Sequence, residues 1–147
     1  MPRLFFDTSA LVKRYYEEEG SETVDELIEA EDSEVVITSL AVVEVASALR
    51  RKRNRDEITS DDVSRLLSSF FEEALAEFTI LPMDDSFSET ALDLVLRSDL
   101  RTLDSLQLAA ALSIVTETST PVFVCADRQL ADVAAERGLE TRHPSSS

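Results

Sequence analysis

Glycine, cysteine, histidine and lysine are all scarce in this 147-residue chain, and each scarcity removes a class of function. The only glycines are Gly20 and Gly138. Each follows a helical pattern and reads as a helix stop, so no glycine-rich turn remains to cradle a phosphate. A P-loop or dinucleotide-binding fold is thereby excluded. The lone cysteine, Cys125, has no partner for an intramolecular disulfide, and one histidine is too few for a Cys/His zinc site. A metal in this chain would be held by oxygen, which favours Mg²⁺ or Mn²⁺. No apolar run approaches the roughly 18 residues of a membrane span. The stretch Leu4-Phe5-Phe6 is too short for a signal-peptide core. A cytoplasmic protein without membrane contact is expected.

Positive charge is also short. Thirty acids face fourteen bases, for a net charge of −16, and only Lys13 and Lys52 among the bases are lysines. A surface of this kind repels itself unless salt screens it. The simplest reading is adaptation to a high-salt cytoplasm, as in halophilic archaea. Taken at face value the charge argues against a nucleic-acid partner. If it is a solubility adaptation, only the charge near the site matters.

With 44% hydrophobic residues the chain can build one real core. Short β-rich runs alternate with longer helical patterns. Strands are predicted at Arg3–Phe6, Val35–Thr38, Thr79–Leu81 and Val122–Val124, with a short last one at 139–142. Helices are predicted over Ser9–Glu18, from Ser21, over Leu40–Arg51, from Thr59 or Ser60 to about Phe78, from Asp85 or Ser86 to Ser98, over Leu103–Thr116 and over Arg128–Arg137. The alternation predicts an α/β fold, a three-layer α/β/α sandwich around a parallel sheet of four to five strands. One domain over residues 1–143 is expected, with a disordered tail at 144–147. Leu66, Leu67, Phe70 and Phe71 are read as core rather than interface.

Ligands of open parallel sheets collect at the carboxyl ends of strands. Asp7 and Asp127 stand there, one just after the first strand and one after a two-residue step beyond the fourth. Each is equally well placed to cap the following helix. Glu44 is harder to explain, because it is the only charge between Ile37 and Leu49. A helix that apolar is expected to be buried around most of its circumference, where an unpaired carboxylate is costly. Pairing with Arg50, Arg51 or Arg101, or a narrow polar edge, would be the structural explanation. Asp104 opens a helix with no further charge before Glu117, and Thr102 competes with it as a cap. Four carboxylates in one cleft would raise one another's pKa values, a conflict that a divalent cation removes. Such a site activates water and holds a scissile phosphate, which suits phosphodiester hydrolysis.

Four segments, in order, resemble the motifs of PIN-domain proteins: Phe6-Asp7-Thr8-Ser9-Ala10-Leu11; Thr38-Ser39 followed by Glu44; Leu100–Ala109 around Asp104; and Phe123-Val124-Cys125-Ala126-Asp127-Arg128-Gln129-Leu130. The resemblance implies Mg²⁺- or Mn²⁺-dependent cleavage of RNA. It makes Asp7, Glu44, Asp104 and Asp127 the acidic, metal-binding quartet, with Ser9 supporting Asp7. Chains of this size and form resemble the toxins of VapBC toxin–antitoxin pairs, which implies a small antitoxin partner and a homodimer. Cys125 departs from the family pattern, standing where Ser or Thr is usual, and its thiol is a weaker donor for Asp127. The basic face common in the family is missing as well. The cluster Arg50-Arg51-Lys52-Arg53-Asn54-Arg55 either contacts phosphates or only ends its helix favourably. Arg101 and Arg128, each beside a motif acid, are the candidate substrate-phosphate ligands.

Other α/β enzymes with a strand-end Asp fit poorly. A haloacid-dehalogenase-type phosphatase needs a second Asp where Ser9 stands, and a receiver domain needs a late lysine where none follows Lys52. Two alternatives remain open: a PIN-like module that binds without cleaving, and an RNA-processing nuclease without an antitoxin.

Overall fold

The triplet Leu4-Phe5-Phe6 lies in the central strand of the sheet because apolar side chains there are buried on both faces. The computed structural model describes residues 1–145. Five strands form one sheet: β1 (Arg3–Phe6), β2 (Glu34–Thr38), β3 (Thr79–Leu81), β4 (Val122–Val124) and β5 (Glu140–Arg142). Their order is β3-β2-β1-β4-β5 and every pair is parallel. Seven helices surround them among the described residues: α1 (Thr8–Leu11), α2 (Ser21–Glu29), α3 (Ser39–Asn54), α4 (Ser60–Glu77), α5 (Phe87–Ser98), α6 (Thr102–Ser113) and α7 (Arg128–Glu136). The short run at Glu140–Arg142 completes the sheet, so the upper count of the four to five expected strands is the one observed.

Strand alternation divides the core into two layers. Leu4, Phe6, Val35 and Ile37 pack with Leu11, Val45, Leu49 and Phe70 on the face covered by α1 to α4. Phe5, Val36 and Phe123 pack with Leu94, Leu108 and Leu130 under α5 to α7. Phe5 and Phe123 stack across paired strands with ring centroids 5.7 Å apart.

The first helix is much shorter than the predicted Ser9–Glu18. It spans Thr8–Leu11 and tightens into a 3₁₀ turn over Val12–Arg14. Tertiary contacts override a weak local preference here. The Arg14 guanidinium grips both oxygens of Glu73 on α4, at 3.0 and 2.8 Å, and also pairs with Asp25 and Glu29 of α2. Tyr15 donates its hydroxyl to Glu73 at 2.7 Å and sets its ring edge-on to Phe70. Burial opposes the charge on Glu73, but the Arg14 and Tyr15 donors prevail and hold its carboxyl below the usual range. This knot ties the loop after β1 to α2 and α4.

Gly20 does not end the first helix as expected. With φ +94° it is the N-cap residue of α2, and a β-carbon there would lie 3.0 Å from Pro144. Gly138 does close α7: its N–H bonds Ala135 O and the Leu139 N–H bonds Ala134 O, a Schellman arrangement. Of the expected tail 144–147, Pro144 is buried and Ser145 exposed, while 146–147 lie outside the described residues.

α3 also differs from expectation. Only Ala41, Val45 and Leu49 of it are buried, and Val43 is 66% exposed. The helix turns one face to a cleft rather than being buried all round. On α4, Phe70 is fully buried and Leu66 and Leu67 are half-buried, but Phe71 is 42% exposed and is not core. Phe70→Ala is expected to cost about 3–5 kcal/mol of unfolding free energy, and Phe71→Ala less than about 1. Urea denaturation at fixed high KCl measures both. Equal losses would contradict this assignment of the α4 faces.

Candidate functional site

In the order β3-β2-β1-β4-β5 the connections depart in opposite directions from β1, so a crevice opens where β1 and β4 end. The Asp7 N–H bonds Val124 O at 3.0 Å and fastens the two strand ends together. Asp7 and Asp127 follow these ends, α3 brings Glu44 and α6 brings Asp104. All four line one cleft of about 510 Å³.

Three of these carboxylates are held by one oxygen each. Asp7 is the N-cap of α1. Its Oδ2 accepts from the Ser9 hydroxyl at 2.7 Å and the Ser9 N–H at 3.2 Å, and the Cys125 thiol stands 3.8 Å away. Asp127 caps α7, with Oδ1 accepting from the Leu130 N–H at 3.1 Å. Glu44 Oε1 accepts from Gln107 Nε2 at 2.7 Å and from the Thr8 hydroxyl at 3.0 Å. The other oxygen of each has no protein hydrogen bond among the described residues. None of these oxygens is sealed from solvent either, since no fully buried side-chain polar atom lacks a partner. In Asp7 and Asp127, capping therefore occupies one oxygen and leaves the other without a protein partner among the described residues.

Asp104 is free of such restraint. Neither it nor Thr102 caps α6, whose N-cap residue Arg101 makes no side-chain cap. Its one ion-pair partner among the described residues is Arg101, at 3.9 Å and 86% exposed. Among the described residues Glu44 pairs with no arginine; neutral donors hold it instead.

Gln107 carries much of this geometry and was not singled out from the sequence. It is fully buried and bridges three elements, giving Nε2 to Glu44 and Thr8 and accepting the Thr38 hydroxyl at 3.1 Å. Thr38 in turn caps α3 through Ala41. The signal was available: Gln107 is the one strongly polar side chain between Leu106 and Leu112. Ser9 contributes more than expected, since its hydroxyl also accepts from the Ala126 N–H at 3.0 Å and so links Asp7 to the loop bearing Asp127. Cys125 is buried. Burial first, and then the charge of Asp7, push its thiol pKa up, so it stays a neutral donor, 3.2 Å from Asp127 O. Arg128 is exposed and does not line the cleft, whereas Arg101 does.

Burial, more than mutual repulsion, dominates the electrostatics. It lifts Asp7 from 3.8 to about 6 against the Ser9 hydrogen bonds, with Asp104 and Glu44 adding smaller increments. Asp104 is raised by burial and then by the charge of Asp127. No cationic side chain lies within salt-bridge distance of Asp7 among the described residues. No three acidic, His or Cys groups there are gathered closely enough to hold an ion alone. Free oxygens on Asp7, Glu44, Asp104 and Asp127 around an open, water-accessible cleft fit Mg²⁺ or Mn²⁺, which bind through few carboxylates and keep several waters.

An α/β sandwich with an acidic crevice at the ends of its central strands defines the class. Residues 4–136 match the family model of the PIN domain, and the chain belongs to that family. No curated protein matches it in sequence. Solved structures share the fold. A toxin–antitoxin complex from Klebsiella pneumoniae aligns with TM-score 0.64 and 16% identity over 96% of this chain and 97% of that one. PAE2754 from Pyrobaculum aerophilum aligns at 0.66 and 20%, over 95% and 89%. VapC20 from Mycobacterium tuberculosis, a sarcin–ricin-loop-cleaving toxin, aligns at 0.66 and 13%, over 88% and 94%. No helix among the described residues is long and apolar enough to cross a membrane.

A carboxyl raised by folding favours the folded state below its unfolded pKa and loses that contribution as pH climbs through the folded value, here from 3.8 to about 6. Ionised Asp7 therefore weakens the metal-free fold at pH 8, by about 2–3 kcal/mol. Asp7→Asn is expected to melt higher than wild type at pH 8 in EDTA, the gap closing toward pH 4. Mn²⁺ should raise the melting point of wild type only. A lower-melting variant at pH 8 would contradict this. Separately, Gln107→Met is expected to weaken Mn²⁺ binding about 10- to 100-fold in calorimetric titration by releasing Glu44. Unchanged affinity would detach Glu44 from the metal site.

Proposed function

We propose that this PIN-domain chain is a metal-dependent endoribonuclease, acting in the cytoplasm as the toxin of a toxin–antitoxin pair. The observation that carries this reading is that Asp7, Glu44, Asp104 and Asp127 line one cleft, three of them anchored through one oxygen and keeping the other without a protein hydrogen bond among the described residues. Mg²⁺ or Mn²⁺ bound there would supply water activation and charge stabilisation at the scissile phosphate. Asp7 and Asp104 are the direct ligands, because Asp7 is the most deeply set and Asp104 has both oxygens available. Glu44 and Asp127 hold water at the cleft margin. Gln107 and Ser9 fix the orientation of Glu44 and Asp7. Arg101, exposed at the rim, meets a substrate phosphate. Arg128 would do so only on a strand that leaves the cleft over the start of α7.

The toxin assignment draws support from the fold neighbours from Klebsiella pneumoniae and Mycobacterium tuberculosis. Val43 and Leu103, 66% and 47% exposed at the cleft, offer an apolar rim to an antitoxin segment. Leu92 and Leu96, one turn apart and exposed on α5, support a homodimer. The surface charge of −16 suits a high-salt cytoplasm.

The test is incubation with tRNA and ribosomal RNA in high KCl, with Mn²⁺, Mg²⁺ or EDTA. Cleavage is expected to need the metal and to fall at least about 100-fold in Asp7→Asn and Asp104→Asn. Metal-independent cleavage, or full activity in either variant, would overturn the reading. Folded protein that binds metal but cleaves no RNA would favour the non-catalytic module.

A further inference from the structure

The cleft is charged unlike the rest of the molecule. Four of the thirty acids line it, and they are the four of the candidate metal site. Every other charged side chain in its lining is cationic: Arg51, Lys52, Arg55 and Arg101. Three of these stand on or just after α3, the helix that also presents Glu44.

Their spacing is that of a single helix face. Leu40, Glu44, Ser47, Arg51 and Arg55 recur at steps of three or four residues, and all line the cleft. At 1.5 Å per residue, Arg51 and Arg55 lie about 10 and 16 Å beyond Glu44 along the helix axis, a span of a few nucleotides. Arg51 is turned back along the helix by a hydrogen bond to Ser47 at 3.0 Å and has no carboxylate partner among the described residues. In a chain with twice as many acids as bases, a cation left unpaired beside the cleft is available to a ligand. Among the described residues Arg55 has only its near neighbour Glu57, at 3.4 Å. Lys52 is engaged by Glu18 at 3.4 Å and by the Tyr16 ring, so it adds field rather than direct contact. Arg50 and Arg53, from the same basic run, do not line the cleft.

We infer that Arg51 and Arg55 form a backbone subsite that holds single-stranded RNA leaving the acidic centre along α3. The scissile phosphate lies at the acids, and phosphates a few nucleotides away on one side meet the two guanidinium groups. Recognition of this kind is electrostatic and blind to sequence, so the stripe fixes the path of the strand rather than base choice. This inference rests on the ribonuclease reading for its scissile end.

The test measures binding and cleavage separately. In an Asp7→Asn background, a fluorescein-labelled mixed-sequence RNA 12-mer is titrated over KCl concentrations at which circular dichroism shows each protein folded. Arg51→Gln/Arg55→Gln is expected to lose about tenfold or more in affinity, and its salt slope to shrink by about 1.4, or 0.7 for each phosphate contact. The charge-matched control Arg50→Gln/Arg53→Gln is expected to keep its slope. Equal effects of the two pairs would reduce the stripe to general electrostatics and overturn the subsite. So would absence of 12-mer binding with the stripe intact, or a stripe needed only to bind a glutamate-rich peptide. With Asp7 restored, the same pairs are assayed for cleavage. If wild type cleaves nothing but RNA binding still depends on Arg51 and Arg55, the nuclease reading fails and the subsite stands. If wild type cleaves and the stripe variant binds and cleaves identically, the subsite alone fails.

Discussion

Burial of the Asp7 carboxylate at the end of the central strand, with no cationic side chain against it among the described residues, is the constraint around which the site is organised. A protein could neutralise such a group with an arginine. Here the surroundings are neutral donors, and each is spent on one oxygen only. Ser9 secures Asp7, Gln107 and Thr8 secure Glu44, and the Leu130 N–H secures Asp127. The acids are thereby fixed in orientation while their charge stays uncompensated, the condition in which a divalent ion gains most from entering. The raised pKa of Asp7 implies that its ionisation at neutral pH works against the metal-free fold, a cost commonly met at functional sites.

The sheet makes this arrangement possible. Because β1 and β4 are neighbours and run parallel, the residues that follow them emerge side by side, and the Asp7 N–H to Val124 O bond locks their register. α3 and α6 then come in from opposite layers of the sandwich, joined across the strand ends by Gln107. That one side chain makes the position of Glu44 depend on α6 and on the cap of α3. The Arg14–Glu73 knot does comparable work farther out, holding the turn after α1 where local propensity alone would continue the helix.

Much of this is written locally in the residues. Alternation of β-branched runs with capped, periodic helices foretold the parallel sandwich, and strand-end acids are easy to find because the strands are short and sharply bounded. Glu44 stood out as one charge in an apolar helix. Its partner did not, because a glutamine in a helix looks unremarkable until Thr8, Thr38 and Glu44 converge on it from three elements. Other errors share that origin. Val43 and Phe71 look like core residues, yet they lie on helix faces left exposed among the described residues. Of the basic run 50–55, periodicity alone cannot say which face meets the acids; only the packing of α3 selects Arg51 and Arg55 over Arg50 and Arg53. For the same reason a net charge of −16 is a poor guide to partners, since the cleft lining carries as many bases as acids.

The central claim is that the four carboxylates form a divalent-cation site, and anomalous diffraction from a crystal soaked in Mn²⁺ tests it most directly. A single strong peak is expected in the cleft within coordination distance, about 2.0–2.3 Å, of oxygens from Asp7 and Asp104, with water filling the remaining positions. An intact, ordered cleft with no peak at saturating Mn²⁺, or a peak elsewhere on the acidic surface only, would contradict it.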